Sequence, residues 1–167
     1  MTINFLGVKM QQSEEEFRYW EGFLGENKFD RVIELGTGFG AFAIYLSLYC
    51  LKNDISFYTF EKDEGRIDDF CKRVLEDHEG FIQGDIFEDH QQFIKVSVQM
   101  AGRTLLFCDN GCKVKELKVF SPSMKVGDVI GFHDFGVEIM QEDIDESPLD
   151  LVQIGGCESL RFFEKVT

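Results

Sequence analysis

Short apolar runs, rich in β-branched and aromatic residues, alternate along the chain with longer stretches whose apolar residues recur at helical spacing. The short runs predict strands over 31–35, 55–61, 80–83, 104–108 and 129–132. The stretches between them predict helices over 41–52, 65–77 and 87–100, and one more that ends before Pro122. Because strands and helices alternate in this way, the sheet should be mainly parallel.

The N-terminal end does not follow this pattern. Residues 1–12 show little periodicity, and we interpret them as an arm lying on the domain. Ser13 should begin a helix as its N-cap, with Glu16 reaching back to complete a capping box. The helix then presents one apolar face, which should cover the sheet: Phe17, Trp20, Phe23 and Leu24.

The C-terminal end also differs. Residues 140–150 are acidic and weakly patterned, whereas 151–154 and 160–163 predict two strands separated by Gly155, Gly156 and Cys157. A gap that short allows a hairpin and not a parallel crossover, so the sheet should end in one antiparallel strand. The predicted fold is therefore a Rossmann-like α/β fold. It has a seven-stranded, mostly parallel sheet with a C-terminal antiparallel hairpin and helices on both faces.

Length and charge narrow the classes of function. A chain of 167 residues is expected to form one domain. Residues 1–27 would be its arm and cap helix, and residues 28–167 its core. The sequence has neither an apolar run near 18 residues nor a signal-peptide pattern, so we expect a cytoplasmic protein without membrane association. The formal net charge of −14 argues against a nucleic-acid partner and favours a small-molecule substrate.

Five cysteines, an odd number without regular spacing, argue against a disulfide framework. Cys108 and Cys112 lack the second pair that would complete a zinc site, so we expect reduced thiols, with Cys108 in a buried strand. The nearest approach to a basic patch is three lysines in six residues, which we interpret as a solvated helix face: Lys113, Lys115 and Lys118.

The first predicted strand runs into three glycines at every second position: Gly36, Gly38 and Gly40. Strand, glycine turn and helix form the first βα unit of a nucleotide-binding sheet, in which glycines let the backbone approach a ligand closely. Glu34 brings a carboxylate to the end of the strand, where ligands of such sheets sit. The alternative is a tight βα turn that binds nothing.

Acidic residues also end the following strands. Glu61 lies 25 residues after Gly36, near the interval at which such folds place a carboxylate for ribose hydroxyls. The alternative for Glu61 is an exposed acid at a strand end. Asp85 follows the third strand, Asp109 the fourth, and the pair His133 and Asp134 the fifth.

These features resemble the class I S-adenosylmethionine-dependent methyltransferases. The resemblance rests on the Glu34–Gly40 motif, the strand-end acids Glu61, Asp85 and Asp109, and the terminal hairpin, and it covers residues 28–167. The glycine pattern with Ala41 also satisfies G-x-G-x-x-A, which a nicotinamide-binding domain could use. The chain, however, has no room for the substrate domain of a dehydrogenase.

Further stretches resemble a narrower group, the cephalosporin hydroxylase and the rhamnosyl and macrocin O-methyltransferase-like proteins. They are residues 7–15, 108–111, 124–130 and 133–134. Members of this group hold a divalent metal, usually magnesium, with an acid ending strand four and an acidic pair ending strand five. Asp109 and Asp134 match this pattern, whereas His133 departs from it. With His133 in the set, manganese, iron or zinc, or no metal, becomes as plausible as magnesium.

The resemblance implies roles for individual residues. Glu61 would bind the cofactor ribose, and Asp85, followed by Ile86, the adenine. The glycine turn would pass under the methionine part, which Glu34 would fix; its residues are Gly36, Thr37, Gly38, Phe39 and Gly40. On the acceptor side, a metal held by Asp109, His133 and Asp134 could lower the pKa of the acceptor. Alternatively, His133 could act as general base, with Asp109 beside it, or simply bond a neighbouring loop.

The leading hypothesis is therefore an S-adenosylmethionine-dependent O-methyltransferase acting on a small molecule, such as a sugar, with a divalent metal (Mg or Mn) as a candidate second cofactor. A second hypothesis is a non-catalytic binding module or partner subunit with the same fold, which the short chain favours. A nicotinamide-binding domain is the third. Dimerisation to a homodimer could complete the substrate site.

Overall fold

The computed structural model describes residues 2–63, 65–77 and 80–167. Its strands are β1 (Thr2–Phe5), β2 (Val8–Ser13), β3 (Arg31–Leu35), β4 (Ser56–Glu61), β5 (Phe81–Gln83), β6 (Thr104–Cys108), β7 (Val129–Phe132), β8 (Leu151–Cys157) and β9 (Leu160–Lys165). Its helices are α1 (Glu14–Glu26), α2 (Ala41–Asn53), α3 (Asp69–Asp77), α4 (Gln91–Gln99), α5 (Lys113–Phe120) and α6 (Gln141–Asp145), with a 3₁₀ turn at Ser121–Ser123.

Seven of the strands form one sheet in the order β5-β4-β3-β6-β7-β9-β8. The pairs from β5 to β7 are all parallel, whereas β9 runs antiparallel to both of its neighbours. The predicted fold class is confirmed, including the single antiparallel strand. The strand order reverses between β3 and β6, and crevices that bind ligands in open α/β sheets form at such a point.

Helices cover both faces of the sheet and enclose two apolar cores. On one face α1 and α2 pack around Trp20, whose ring meets Phe107 and Phe162 edge-on at centroid distances of 4.8 and 5.0 Å. The predicted apolar face of α1 is therefore buried, and its capping box between Ser13 and Glu16 is formed. On the other face α4, α5 and α6 bury a second cluster, which includes Phe120.

The N-terminal arm is more ordered than its sequence pattern indicated. β1 and β2 form an antiparallel hairpin whose turn places Leu6 and Gly7 at positive φ. Phe5 and Val8 pack against the apolar clusters that α2 helps to form. Two strands with few alternating apolar positions give little periodicity, which is why the hairpin was not predicted.

Two helices begin later than predicted, because an acidic side chain caps the first and holds a turn in front of the second. Asp68 accepts hydrogen bonds from the backbone N–H groups of Phe70 and Cys71, so α3 begins at Asp69 and not at 65. Asp85 accepts from the N–H groups of Phe87 and Glu88, and a turn then precedes α4.

The C-terminal elements also differ in detail. β8 continues through Gly155, Gly156 and Cys157, so the turn between the two strands is only Glu158 and Ser159. A bulge between Gln153 and Gly155 accommodates the extra residue. The acidic stretch contains the short helix α6. Within the described residues, the chain has no helix with the length and apolarity to span a bilayer.

Candidate cofactor and acceptor site

The glycine turn needs its glycines for conformation and for space. Gly36 and Gly40 have φ of 104° and 91°, a region that side chains disfavour. A Cβ on Gly36 would lie 2.6 Å from the carbonyl oxygen of Asp109. The backbone N–H groups of Gly36 and Thr37 donate to the carbonyl of Phe60, which ties the turn to β4. The turn therefore brings bare backbone to the carboxyl ends of three neighbouring strands.

Glu61 lies beside this turn and is fixed by it. Its Oε2 accepts a hydrogen bond from the N–H of Gly38 at 2.9 Å, and its Oε1 accepts from the N–H of Asp63 at 3.0 Å. The carboxylate is buried, yet each oxygen keeps a second lone pair. These lone pairs fit a pair of ribose hydroxyls, so the chain's own residues are compatible with an adenosine-bearing cofactor here.

Glu34 is the most deeply buried acid of the turn. Thr59 donates its hydroxyl hydrogen to Glu34 Oε2 at 2.5 Å, and the Thr37 and Thr59 hydroxyls are 2.6 Å apart. Burial raises the pKa of Glu34 to about 8; the hydrogen bond from Thr59 opposes this shift, and the nearby Asp109 and Glu61 carboxylates add to it. Glu34 is therefore mainly protonated at neutral pH in the cofactor-free chain.

The remaining predicted cofactor residues occupy separate positions around the turn. Phe39 is half-buried, with the Lys9 ammonium 5.7 Å from its ring centroid. Asp85 forms an ion pair with Lys62 at 2.8 Å, and this contact lowers the pKa of Asp85. Ile86 is buried in the core on the α4 and α5 face. Asp85 is next to Glu61 in space, because Gly84 donates its N–H to the Glu61 carbonyl.

The N-terminal hairpin closes over the glycine turn. Gln11 lies over Gly38, where an added Cβ would clash with its Oε1. Gln12 is buried; its Nε2 donates to Asp109 Oδ2 at 3.2 Å, and its Oε1 has no hydrogen-bond partner in the described part of the chain. A cavity of about 10 Å³ remains among these side chains and the turn. In the sequence, only the family resemblance of residues 7–15 indicated that this hairpin belongs to the site.

Charged side chains converge where β6 and β7 end. His133 Nδ1 lies 3.2 Å from Asp109 Oδ1 and 3.3 Å from Asp134 Oδ2. Lys113 Nζ lies 3.5 Å and 3.7 Å from the same two oxygens, and 2.6 Å from Glu138 Oε2. Each of the two aspartate oxygens therefore faces both a lysine ammonium and an imidazole.

The interpretation of Lys113 as a solvated lysine was wrong. Its side chain is only 2% exposed, whereas Lys115 and Lys118 on the same helix are exposed. Burial alone would lower the pKa of Lys113, but the Asp109 and Glu138 carboxylates raise it, so the ammonium stays charged. The signal in the sequence was a lysine placed four residues after a strand-end acid, at the start of a helix.

His133 is a cation in this arrangement. Burial would lower its pKa, but its contacts with Asp109, Glu16 and Asp134 outweigh burial and raise the pKa to about 10. Its Nε2 lies 3.6 Å from Glu16 Oε2. Burial would raise the pKa of Glu16, yet His133, the Ser13 N–H and the Ser159 hydroxyl lower it to about 2. From the sequence, Glu16 was expected only as a helix cap.

The predicted metal ligands do converge, but they do not fit a divalent cation as they stand. Asp109, His133 and Asp134 each offer one ligand atom, all within 4.8 Å of one another. The Asp109 and Asp134 oxygens that would bind a metal already face the Lys113 ammonium, at 3.5 and 3.7 Å. The metal site therefore stays a prediction.

An open cleft of about 270 Å³ lies beside this cluster, between the start of α1, the end of β7 and the turn that joins β8 to β9. Its size suits a ligand smaller than most drug-like molecules. All of the residues that line it are polar or charged: Gln11, Gln12, Ser13, Glu16, His133, Asp134, Glu158 and Ser159.

Family models and curated protein sequences give no match to this chain, whereas solved structures resemble it. The S-adenosylhomocysteine-bound methyltransferase PaMTH1 of Podospora anserina matches with a TM-score of 0.68 at 11% identity, over 94% of this chain and 80% of that one. A methyltransferase of Geobacter sulfurreducens matches at 0.63 and 11%, over 93% and 80%. The O-methyltransferase TomG of Streptomyces achromogenes, involved in tomaymycin synthesis and solved with S-adenosylmethionine, matches at 0.61 and 13%, over 93% and 82%.

The fold is that of the class I S-adenosylmethionine-dependent methyltransferases. At these identities the likeness shows the fold, so the methyltransferase fold that the motifs implied is confirmed. Placement beside the cephalosporin hydroxylase and macrocin O-methyltransferase-like group stays a prediction.

Proposed function

We propose that this protein is an S-adenosylmethionine-dependent methyltransferase that methylates a hydroxyl group of a small polar molecule. One observation carries the proposal: Asp109 belongs to both halves of the site, the glycine turn and the charged cluster at the ends of β6 and β7. Its backbone packs against Gly36 of the glycine turn, and its carboxylate contacts Gln12, Lys113 and His133. The glycine turn and the charged cluster beside the polar cleft therefore meet at this one residue.

S-adenosylmethionine, when bound, supplies a methyl group on a sulfonium centre. The chain's part is to align donor and acceptor, which can lower the activation barrier by roughly 7–11 kcal/mol. Glu61 would hold the ribose through its free lone pairs, with Asp85 and Ile86 toward the adenine. Glu34, next to Asp109, would face the positively charged end of the cofactor, which favours its ionised form.

The acceptor hydroxyl must lose a proton. In the arrangement described, His133 is already protonated, so it would donate hydrogen bonds and would not take the proton. Asp134, whose side chain is 40% exposed at the cleft, can accept a hydrogen bond from the hydroxyl. We therefore propose Asp109 and His133 as the groups that position the acceptor, and Asp134 as the first acceptor of its proton.

The cleft supports a neutral, hydroxyl-rich substrate, such as a single sugar ring. Its Gln12, Ser13 and Ser159 side chains can hydrogen-bond hydroxyl groups. An anionic acceptor would meet the carboxylates of Glu16, Asp134 and Glu158, together with a net charge of −14.

Titration calorimetry with S-adenosylmethionine tests the cofactor, and a panel of acceptors read by mass spectrometry tests the reaction. We expect cofactor binding, and a mass gain of one methyl group on neutral polyols or sugars but not on acidic acceptors. Absence of binding heat at millimolar cofactor would contradict the proposal, and turnover of anionic acceptors alone would contradict the substrate class.

A second candidate is a methyltransferase-fold module that binds the cofactor, or nothing, without turnover. The observation that favours it is the cavity of only about 10 Å³ left at the glycine turn beneath the hairpin. The same two measurements distinguish the candidates, because a module gives no methylated product with any acceptor.

A further inference from the structure

Lys113 is a buried cation surrounded by carboxylates at the carboxyl ends of the strands. It is the first residue of α5, and its chain runs back to Asp109 at the end of β6. There the ammonium meets three acids, Asp109 at 3.5 Å, Asp134 at 3.7 Å and Glu138 at 2.6 Å. A lysine is almost never fully buried unless it is paired, so this burial indicates a specific role.

The ammonium uses the oxygens that a metal would use. Asp109 Oδ1 and Asp134 Oδ2 each lie within 3.7 Å of both Lys113 Nζ and His133 Nδ1. Hard divalent cations bind carboxylate oxygens at roughly 2.0–2.6 Å. A cation at that distance from both oxygens would lie no more than about 6 Å from the Lys113 ammonium, which would repel it.

We propose that the Lys113 ammonium takes the place of a divalent metal in this site, so that the site works without one. Lys113 then acts as a positioning residue. It holds the Asp109 and Asp134 carboxylates together and places a fixed positive charge beside the acceptor cleft. Its part in catalysis rests on the proposed function, but metal binding can be measured on the protein alone.

The test measures Mn²⁺ binding to chelator-treated protein by electron paramagnetic resonance. The central variant, Lys113→Met, removes the charge and keeps most of the side-chain volume. Lys118→Met is the matched control, because Lys118 is exposed on the same helix. We expect the wild-type protein and Lys118→Met to leave the metal free, whereas Lys113→Met should bind Mn²⁺ at least about tenfold more tightly.

Thermal unfolding with and without Mn²⁺ gives an independent readout. Removal of Lys113 leaves Asp109, Asp134 and Glu138 with one cation fewer among them, so Lys113→Met should melt below the wild type and regain stability with Mn²⁺. Lys113→Arg keeps the cation and should show no such rescue. A lysine that merely filled space would give no metal-dependent difference between the two variants.

Tight Mn²⁺ binding by the wild-type protein would overturn the inference, and that measurement does not depend on whether a variant folds. Folded Lys113→Met without affinity for Mn²⁺ would also overturn it, since the cluster would then not be a cation position. Failure of the proposed function would appear differently, as absent cofactor binding in calorimetry, and would leave the metal result unchanged.

Discussion

The two halves of the candidate site are built by different physics. At the ends of β3 and β4, the cofactor half is shaped by backbone: glycines at positive φ, and amides that donate to Glu61 and to the Phe60 carbonyl. At the ends of β6 and β7, the acceptor half is held by charge, with two buried cations among four carboxylates: Lys113, His133, Glu16, Asp109, Asp134 and Glu138. A site shaped by backbone can be recognised from a local sequence pattern, whereas a charge network is formed by residues from distant segments of the chain.

The largest expected effect concerns the Glu34 carboxyl in the cofactor half, and it tests whether burial there makes the free energy of unfolding depend on pH. Burial holds the pKa of Glu34 near 8, above the usual carboxyl value of 4.5. The folded state therefore binds an extra proton between those two values, so stability falls as the pH rises through this window. Glu34→Gln, which cannot ionise, should lose less stability than the wild type between pH 5 and pH 9, by about 4 kcal/mol.

Urea unfolding at both pH values provides the measurement for Glu34→Gln. Other groups titrate in the same range, so the informative quantity is the difference between variant and wild type. Exposed Glu26 supplies the control, since Glu26→Gln should follow the wild-type curve. If Glu34→Gln also followed it, the Glu34 carboxyl would not be held neutral by burial.

The second prediction tests the charge network of the acceptor half. Glu16 is buried and pairs with His133, so Glu16→Gln should leave a buried cation with one partner fewer, at a cost of about 3 kcal/mol at pH 7. Because the pKa of Glu16 is lowered to about 2, its contribution is present above pH 4.5 and is lost as the pH falls toward 2.

Denaturation of Glu16→Gln at pH 7 and at pH 3 checks both parts of this prediction. The gap to the wild type should narrow at the lower pH. Glu15→Gln serves as the control, because Glu15 is exposed on the same helix. An equal, small loss in both variants would mean that Glu16 acts only as a helix cap.

The difference between the halves explains how much of the fold could be predicted. Strand–helix alternation predicted the parallel sheet, and the short gap at 155–157 predicted its one antiparallel strand. The spacing of Gly36, Gly38 and Gly40 predicted the glycine turn. Local side-chain chemistry changed the boundaries, since the Asp68 and Asp85 carboxylates cap turns and delay two helices. The hairpin of β1 and β2 has too few apolar positions to leave a periodic pattern.

The site was predictable in the same uneven way. Asp109, His133 and Asp134 were singled out as strand-end residues, and the structure brings them together. Lys113 was missed, because lysine clusters are usually solvated and only the tertiary fold brings this one beneath Glu138. Glu16 was assigned to a capping box, which it does form; its second partner, His133, is 117 residues away and left no local signal.

The third prediction returns to the backbone-built half. Glu61 accepts two backbone hydrogen bonds with its two oxygens, whereas a glutamine would place an NH₂ group against one of those N–H donors. Glu61→Gln should weaken S-adenosylmethionine binding by about 10- to 100-fold, since hydrogen bonds to charged groups contribute about 1.5–3 kcal/mol. Calorimetry measures this loss. The control is Glu88→Gln, an exposed acid near the next strand end; equal affinity of Glu61→Gln and the control would remove Glu61 from the cofactor site.

The smallest expected effect concerns the hairpin, which joins the two halves. Consecutive residues of β2 serve different halves: Gln11 covers Gly38 of the turn, and Gln12 donates to Asp109. Gln11 is exposed, so its side chain can be displaced at small cost, and Gln11→Ala should bind S-adenosylmethionine roughly threefold more tightly, a gain below about 1 kcal/mol. Gln11→Glu keeps the length of the side chain and should show no gain in the same calorimetric titration. Weaker binding by Gln11→Ala would instead make Gln11 a cofactor ligand. The hairpin would then belong to the cofactor half, because the Gln11 side chain would strengthen cofactor binding and not obstruct it.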